Sequence, residues 1–167
     1  MTVALHWATV MLVGLLWTIG QTIDFAPSGP LRIDYRSLHM VLGITLACVF
    51  ITRVWWRSRG GLALPGVDNM LMRVVAWLMH RLLYLIILTT VVLGITNVWV
   101  RGDSVFNLFK VPAFDPGDRA LRDSIGDWHA LAANTLVIVA GLHAAVALFH
   151  HFILRDGVLR RMLPVLK

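Results

Sequence analysis

The chain has 167 residues, of which 58% are hydrophobic and 14% are charged, and its mean hydropathy is +0.76. A soluble domain of this size cannot bury so much apolar surface, so the composition favours a membrane protein. The net charge of +6 does not indicate nucleic-acid binding, because apolar stretches separate the basic residues and no basic stripe with interleaved aromatic residues is present. The one cysteine, Cys48, excludes an internal disulfide and argues against an iron–sulfur site.

Four apolar stretches are each long enough to cross a bilayer, which takes about 20 mostly apolar residues. They cover residues 5–23, 38–56, 74–100 and 128–154. The first has no basic region and no small-residue cleavage site, so it is interpreted as a retained helix and not as a signal peptide. Each stretch is predicted to be helical because backbone polar groups in lipid must be satisfied within the segment. The sequence therefore predicts an all-α membrane protein, a single transmembrane domain over residues 1–167 with up-down-up-down topology.

Three connections join the predicted helices, and their charges predict the orientation. The first connection, residues 24–37, contains Pro27, Gly29 and Pro30, which favour a turn-rich loop. The second covers residues 57–73, and the third, residues 101–127, is the longest. The first and third together hold six of the fifteen basic residues and seven of the nine Asp residues. Because basic residues concentrate on the cytoplasmic side, we expect both termini and the second connection to be cytoplasmic.

Four histidines fall at two depths of the predicted bundle. His129 and His143 are fourteen residues apart on one stretch, so they share a helix face and lie about 21 Å apart along the axis. With both termini inside, His39 and His129 lie near the outer surface, and His6 and His143 lie near the inner surface. A single histidine in such a position is as often a residue buried in helix contacts as a ligand. Polar groups in lipid are costly, however, and tend to be functional. Two facing pairs at matched depths favour two six-coordinate haem groups, whose iron takes one imidazole on each face.

Other residues on these faces carry weaker signals. Arg53 lies fourteen residues after His39 and is a candidate to bind a haem propionate in the inner layer. The alternative is that its side chain reaches the inner headgroups. Gly43, Ala133 and Ala147 each follow a predicted ligand by four residues, which leaves room for a flat macrocycle or for close helix packing.

The inner side also carries candidates for a quinone site. His150 lies seven residues beyond His143, and a histidine there can relay protons or hydrogen-bond a quinone carbonyl. His80 is a second such candidate and also competes with His6 as an inner haem ligand. Trp77 and Tyr84 are candidates to pack against the quinone, although rings near an interface are commonly plain membrane anchors.

Several motifs resemble the bacterial cytochrome b561 family. They are residues 5–7, residues 39–43 with Arg53, residues 128–130, residues 141–145 followed by His150 and His151, and the closing residues 155–164. The resemblance covers nearly the whole chain and implies a four-helix, quinone-linked electron carrier of the bacterial inner membrane with two haem b groups. The family's ligand positions correspond to His6, His39, His129 and His143. Similar stand-alone members pass electrons from periplasmic superoxide to ubiquinone, and related cytochromes are subunits of hydrogenases and formate dehydrogenases.

Three functions follow as hypotheses. The leading one is electron transfer from a periplasmic donor, expected to be superoxide, to membrane quinone. A positive funnel on the outer side would raise the capture rate of this anion, and its candidate residues are Arg101, Lys110, Arg119 and Arg122. Asp residues of the same connection nearly cancel these charges, so an ordinary solvated loop is the alternative. The second hypothesis is a cytochrome b subunit of a periplasmic hydrogenase or dehydrogenase, and the third is a haem-free scaffold or transporter.

Overall fold

The computed structural model of the protein describes residues 1–60, 70–156 and 159–162. In this part of the chain, four helices are long and apolar enough to cross a membrane, which confirms the predicted four-helix membrane fold. They are α1 (Thr2–Thr22), α2 (Pro30–Ser58), α3 (Met70–Arg101) and α4 (Arg119–Phe149). A short 3-10 turn follows α1 at Ile23–Phe25. After α4 come a π-helical turn at His150–Leu154 and a 3-10 turn at Leu159–Met162.

All four helices begin before their predicted apolar stretches, and the difference is largest for α2 and α4. α2 begins at Pro30 and not at residue 38, so the expectation of a turn-rich loop over residues 24–37 is wrong for its second half. Proline suits the first position of a helix because that position needs no N–H donor. α4 begins at Arg119 and not at residue 128, where the Asp118 carboxylate accepts a 2.8 Å hydrogen bond from the Leu121 backbone N–H. Both helices therefore start before the apolar stretch, α2 with Pro30 at its first position and α4 at the Asp118 cap.

The bundle consists of two helical hairpins. α1 packs along α2, and α3 packs along α4, whereas contacts between the two hairpins are few. Where the hairpins meet, Phe50, Ile87 and Leu136 form a buried cluster that Val13 of α1 joins. Leu136 lies seven residues from both His129 and His143, so this apolar cluster lies midway between the two histidine depths. The fold thus sets two polar layers on either side of an apolar one.

The third connection contains a small β-hairpin that the sequence analysis does not predict. Strands β1 (Ser104–Val105) and β2 (Phe109–Lys110) pair antiparallel. Phe106 and Asn107 between them have φ angles of 48° and 57°, and the Leu108 N–H donates to the Val105 carbonyl at 2.9 Å, as in a type I′ turn. The fully buried Ser37 hydroxyl accepts a 2.7 Å bond from the Phe106 N–H. The hairpin is thereby fixed to the start of α2.

The end of the described chain returns to the first helix. The Trp7 indole N–H of α1 donates a 2.7 Å hydrogen bond to the Met162 carbonyl oxygen in the last 3-10 turn. Residues 61–69 of the predicted second connection, and residues 157–158 and 163–164 of the closing motif, lie outside the described residues.

Candidate functional site

The upper layer, defined by His39 and His129, lies at the end of the bundle that carries the β-hairpin. The two ring centroids are 6.2 Å apart and the ring planes meet at 81°. The structure thus brings together the two histidines that the depth argument pairs. His129 Nδ1 lies 3.0 Å from the Thr90 carbonyl oxygen of α3. Because a carbonyl oxygen only accepts, Nδ1 carries the proton and Nε2 keeps its lone pair.

The His39 ring lies against α1, the helix that packs along α2. Its Nδ1 atom is buried, and no described residue lies in the geometry of a full hydrogen bond to it. The Leu16 backbone nevertheless interacts with the ring. A Cβ added at Gly20 would lie 3.4 Å from His39 Cε1, and one added at Gly94 would lie 3.0 Å from His129 Cε1. These two glycines, which the sequence analysis misses, leave room for the imidazole rings.

The lower layer, defined by His6, His80 and His143, lies at the opposite end of the bundle. The rings of His80 and His143 are 5.4 Å apart between centroids, at 68°. His80 Nδ1 lies 2.7 Å from the Ala76 carbonyl oxygen, which leaves Nε2 of His80 unprotonated. His6 is close enough to interact electrostatically with both other histidines. The structure therefore brings the His80 ring against His143 and places His6 beside Arg53 in the same layer.

Arg53 points into this lower layer. One of its guanidinium nitrogens lies 3.3 Å from His6 Nδ1, and its Cζ lies 5.3 Å from the centre of the Tyr84 ring. Since a guanidinium only donates, His6 Nδ1 accepts this bond. A metal bond from Nε2 of His6 would need that nitrogen unprotonated, so it would require Arg53 to release Nδ1. The Tyr84 ring also packs edge-on against Phe50, at 5.8 Å.

The C-terminal end of α4 turns back on itself at His150. His150 Nδ1 lies 2.5 Å from Asp156 Oδ2, and the Asp156 N–H donates to the His150 carbonyl oxygen at 3.2 Å. Arg155 between them has a left-handed φ of 52°, and the chain here is π-helical, a form frequent at functional sites. Asp156 is a polar partner that the sequence analysis misses. The neighbouring His151 ring instead packs on Phe152, at 4.8 Å.

The remaining quinone candidate lies on the surface of the bundle. Trp77 is 56% exposed, and the Arg81 guanidinium lies 5.2 Å from the centre of its ring. This arrangement is typical of an aromatic anchor at a membrane interface.

A cleft of about 440 Å³ lies above the upper layer. Three of the four predicted funnel residues, Arg101, Lys110 and Arg122, line it, whereas Arg119 is not among its lining residues. The guanidinium of Arg101 lies 3.5 Å from the Asp103 carboxylate. Lys110 makes no ion pair with any residue that the structure describes, so its charge is the least compensated in the cleft.

Comparison with known proteins gives consistent matches over the whole chain. The profile of the prokaryotic cytochrome b561 family matches residues 1–165. A probable superoxide oxidase of Yersinia pestis is 30% identical over 166 residues, which cover 97% of this chain and 93% of that protein. Cytochrome b561 homolog 2 of Escherichia coli (strain K12) is 31% identical, with 96% and 87% covered. Cytochrome b562 of Cereibacter sphaeroides is 29% identical, with 96% and 91% covered.

Proposed function

Because the chain belongs to the prokaryotic cytochrome b561 family, whose members are multi-pass bacterial membrane proteins that carry haem b and transfer electrons, we propose that it is a superoxide:quinone oxidoreductase of the inner membrane. The whole chain acts as one transmembrane domain. Two superoxide anions, one quinone and two protons yield two molecules of O₂ and one quinol, and ubiquinone is the expected acceptor. Haem b supplies the one-electron chemistry when it is bound.

The observation that carries the proposal is the arrangement of the histidines in two layers between two hairpins. In the upper layer, His39 and His129 are the residues that would bind the iron of one haem b. The hydrogen bond from His129 Nδ1 to the Thr90 carbonyl supports this role. Metal-ligating histidines almost always donate their other ring N–H to such an acceptor, which fixes the tautomer and the ring orientation. The glycines beside both rings support it further.

In the lower layer we assign His6 and His143 as ligands of a second haem b, with His80 as the alternative to His6. Arg53 is assigned to a propionate of this group. Its guanidinium contacts His6 and the Tyr84 ring within the bundle, which supports a buried anionic partner. Binding a carboxylate would also draw Arg53 away from His6 Nδ1, leaving that nitrogen free to carry the proton.

The upper end of the bundle is assigned to the periplasm and the lower end to the cytoplasm, because nine of the fifteen basic residues lie towards the lower end. The cleft lined by Arg101, Lys110 and Arg122 is the proposed entrance for superoxide, since a concentration of positive charge raises the encounter rate of an anion. Arg119 has no part in this cleft, so we leave it out of the funnel.

The lower end is assigned to quinone. His150 is the first candidate contact, because Asp156 holds its Nδ1 and, when the ring is protonated, the Nε2–H can donate to a quinone carbonyl oxygen. His80, Trp77 and Tyr84 remain candidates for the wall of this site.

A second candidate function is that of a cytochrome b subunit for a periplasmic hydrogenase or dehydrogenase. One observation favours it: Leu108, Phe109 and Phe114 of the third connection are 82%, 60% and 59% exposed. The haem-free scaffold has no support, because family membership implies haem b.

The test is superoxide-dependent quinone reduction by the purified protein alone. Superoxide is generated enzymatically beside proteoliposomes that contain ubiquinone, and quinol formation is compared with liposomes that hold the H129A variant. We expect acceleration that is proportional to the amount of wild-type protein and absent with H129A. Equal rates for both proteins, with haem bound to the wild type, would contradict the superoxide assignment. Activity that returns only with an added hydrogenase or dehydrogenase would favour the subunit function.

A further inference from the structure

Two polar side chains of α3 each have a buried oxygen that none of the described residues hydrogen-bonds. The Tyr84 hydroxyl oxygen and the Asn97 carboxamide oxygen are buried, and neither makes a hydrogen bond in the described part of the chain. Buried polar groups in folded proteins are nearly always hydrogen-bonded, because leaving one unpaired costs its full desolvation. Each of the two therefore calls for a partner that the described residues do not supply.

Tyr84 lies in the lower layer, beside a cation. The Arg53 guanidinium stacks over its ring at 5.3 Å and also contacts His6. A phenol and a guanidinium are both hydrogen-bond donors. A phenol and a charged guanidinium thus lie close together beside His6, and two donors of this kind suit a carboxylate.

Asn97 lies between the upper layer and the cleft. Gly94, one turn earlier on α3, faces the His129 ring, and Arg101, one turn later, lines the cleft. Positions 94, 97 and 101 follow the spacing of a single helix face. The nitrogen and oxygen of the carboxamide exchange places by a flip of the side chain, so Asn97 can present an N–H donor at the buried position.

We propose that Tyr84 and Asn97 each donate a hydrogen bond to a propionate of the haem b in their own layer, and that α3 thereby sets the two reduction potentials. The proposal rests on the proposed function, which places one haem b in each layer. A bare propionate favours ferric iron, because its negative charge lies near the positive centre. A donor draws charge away from the carboxylate, so each of these residues raises the potential of its haem.

The test is a spectroelectrochemical titration of the full-length protein in lipid nanodiscs, which gives two midpoint potentials. Y84F removes only the hydroxyl, and N97L removes the amide while keeping a similar size. We expect Y84F to lower the lower-layer potential and N97L to lower the upper-layer potential, each by up to about 59 mV, a tenfold change in the ferric-to-ferrous ratio. H129A, which should keep the lower-layer haem alone, identifies which potential belongs to which layer.

T96V is the matched control on the same helix. The Thr96 hydroxyl bonds to the Val92 carbonyl within α3, so its removal is expected to leave both potentials unchanged. Unchanged potentials in Y84F and N97L, with two haems bound, would overturn the proposal, and buried water would then be the partner of both groups. Equal shifts of both potentials in one variant would also overturn it, because the effect would not be local. Should N97L bind less haem, N97S is expected to shift the same potential in the same direction.

Failure of the proposal is distinguishable from failure of the proposed function. If the wild-type protein itself binds fewer than two haems, the two-layer assignment fails. If it binds two and the potentials ignore Tyr84 and Asn97, only the role of α3 fails.

Discussion

The Nδ1 atom of His129 lies 3.0 Å from the Thr90 carbonyl oxygen on the neighbouring helix α3. A backbone carbonyl cannot rotate away as a side chain can, so it holds both the tautomer and the orientation of the ring. The helix that supplies this acceptor also supplies Gly94 one turn later, against the same ring. α3 thus positions a histidine that belongs to α4.

Gly94 should be intolerant of a side chain. An added Cβ would lie 3.0 Å from His129 Cε1, which forces the ring or a helix to move. We expect G94A to weaken haem retention in the upper layer by about tenfold, as for the loss of a second-shell contact, and G94V to abolish it. Haem content after dialysis against apomyoglobin measures this. G14A is the control, because no atom lies within 4 Å of its added Cβ, and equal haem loss in both variants would contradict the steric explanation.

Ser37 should anchor the β-hairpin. Its buried hydroxyl accepts from the Phe106 N–H at 2.7 Å and lies 2.7 Å from the Ile33 carbonyl. S37A leaves the Phe106 N–H unpaired at a cost of about 1–3 kcal/mol. We expect a lower thermal midpoint of the purified protein and faster proteolysis within residues 104–110. S58A, which removes an exposed hydroxyl at the end of α2, should change neither, and an S37A protein as resistant as wild type would rule out the anchor.

Lys110 should govern the salt dependence of superoxide capture. It lines the cleft and has no ion pair with the described residues, so charge reversal in K110E should lower the second-order rate constant several-fold at low ionic strength. The difference from wild type should shrink as salt rises, because the Debye length falls to about 8 Å at 0.15 M. Pulse radiolysis with detection of haem reduction gives this rate. R119E carries the same charge change outside the cleft, and an effect as large as that of K110E would remove the cleft from the mechanism.

His150 should act on quinone and not on superoxide. Asp156 holds its Nδ1 at 2.5 Å, so H150Q removes a group that is positioned to hydrogen-bond or protonate a carbonyl oxygen. We expect at least tenfold slower quinol formation, with haem reduction by superoxide unchanged. H151Q changes the adjacent histidine, whose ring packs on Phe152, and should behave as wild type. Normal quinol formation by H150Q would move the quinone site elsewhere.

The sequence predicts much of this fold because membrane helices are long apolar runs and because helical spacing converts residue numbers into depth. The pairing of His39 with His129 by depth agrees with their 6.2 Å ring separation. The apolar runs do not indicate the starts of α2 and α4, since Pro30, which begins α2, and Asp118, which caps α4, both lie before these runs.

Contacts between helices were the main features that the sequence did not reveal. Nothing in the spacing of α3 indicates that the Thr90 carbonyl or Gly94 faces His129, because the rotation of one helix against another is set by packing. The two-residue strands of the β-hairpin are too short to show a periodicity. The contact of Asp156 with His150 could not be predicted, because it depends on the left-handed turn at Arg155.

The most direct measurement is the number of haem b groups per chain, from the pyridine haemochrome spectrum of the purified protein and of single histidine variants. We predict two for wild type and one for each of H39A, H129A, H6A and H143A, with two retained in H80A. One haem in H80A and two in H6A would show that His80, and not His6, is the ligand in the lower layer. The claim that there are two layers would still hold. Two haems in both H129A and H143A, or none in the wild type, would contradict the claim that two layers of histidines from separate helices bind haem.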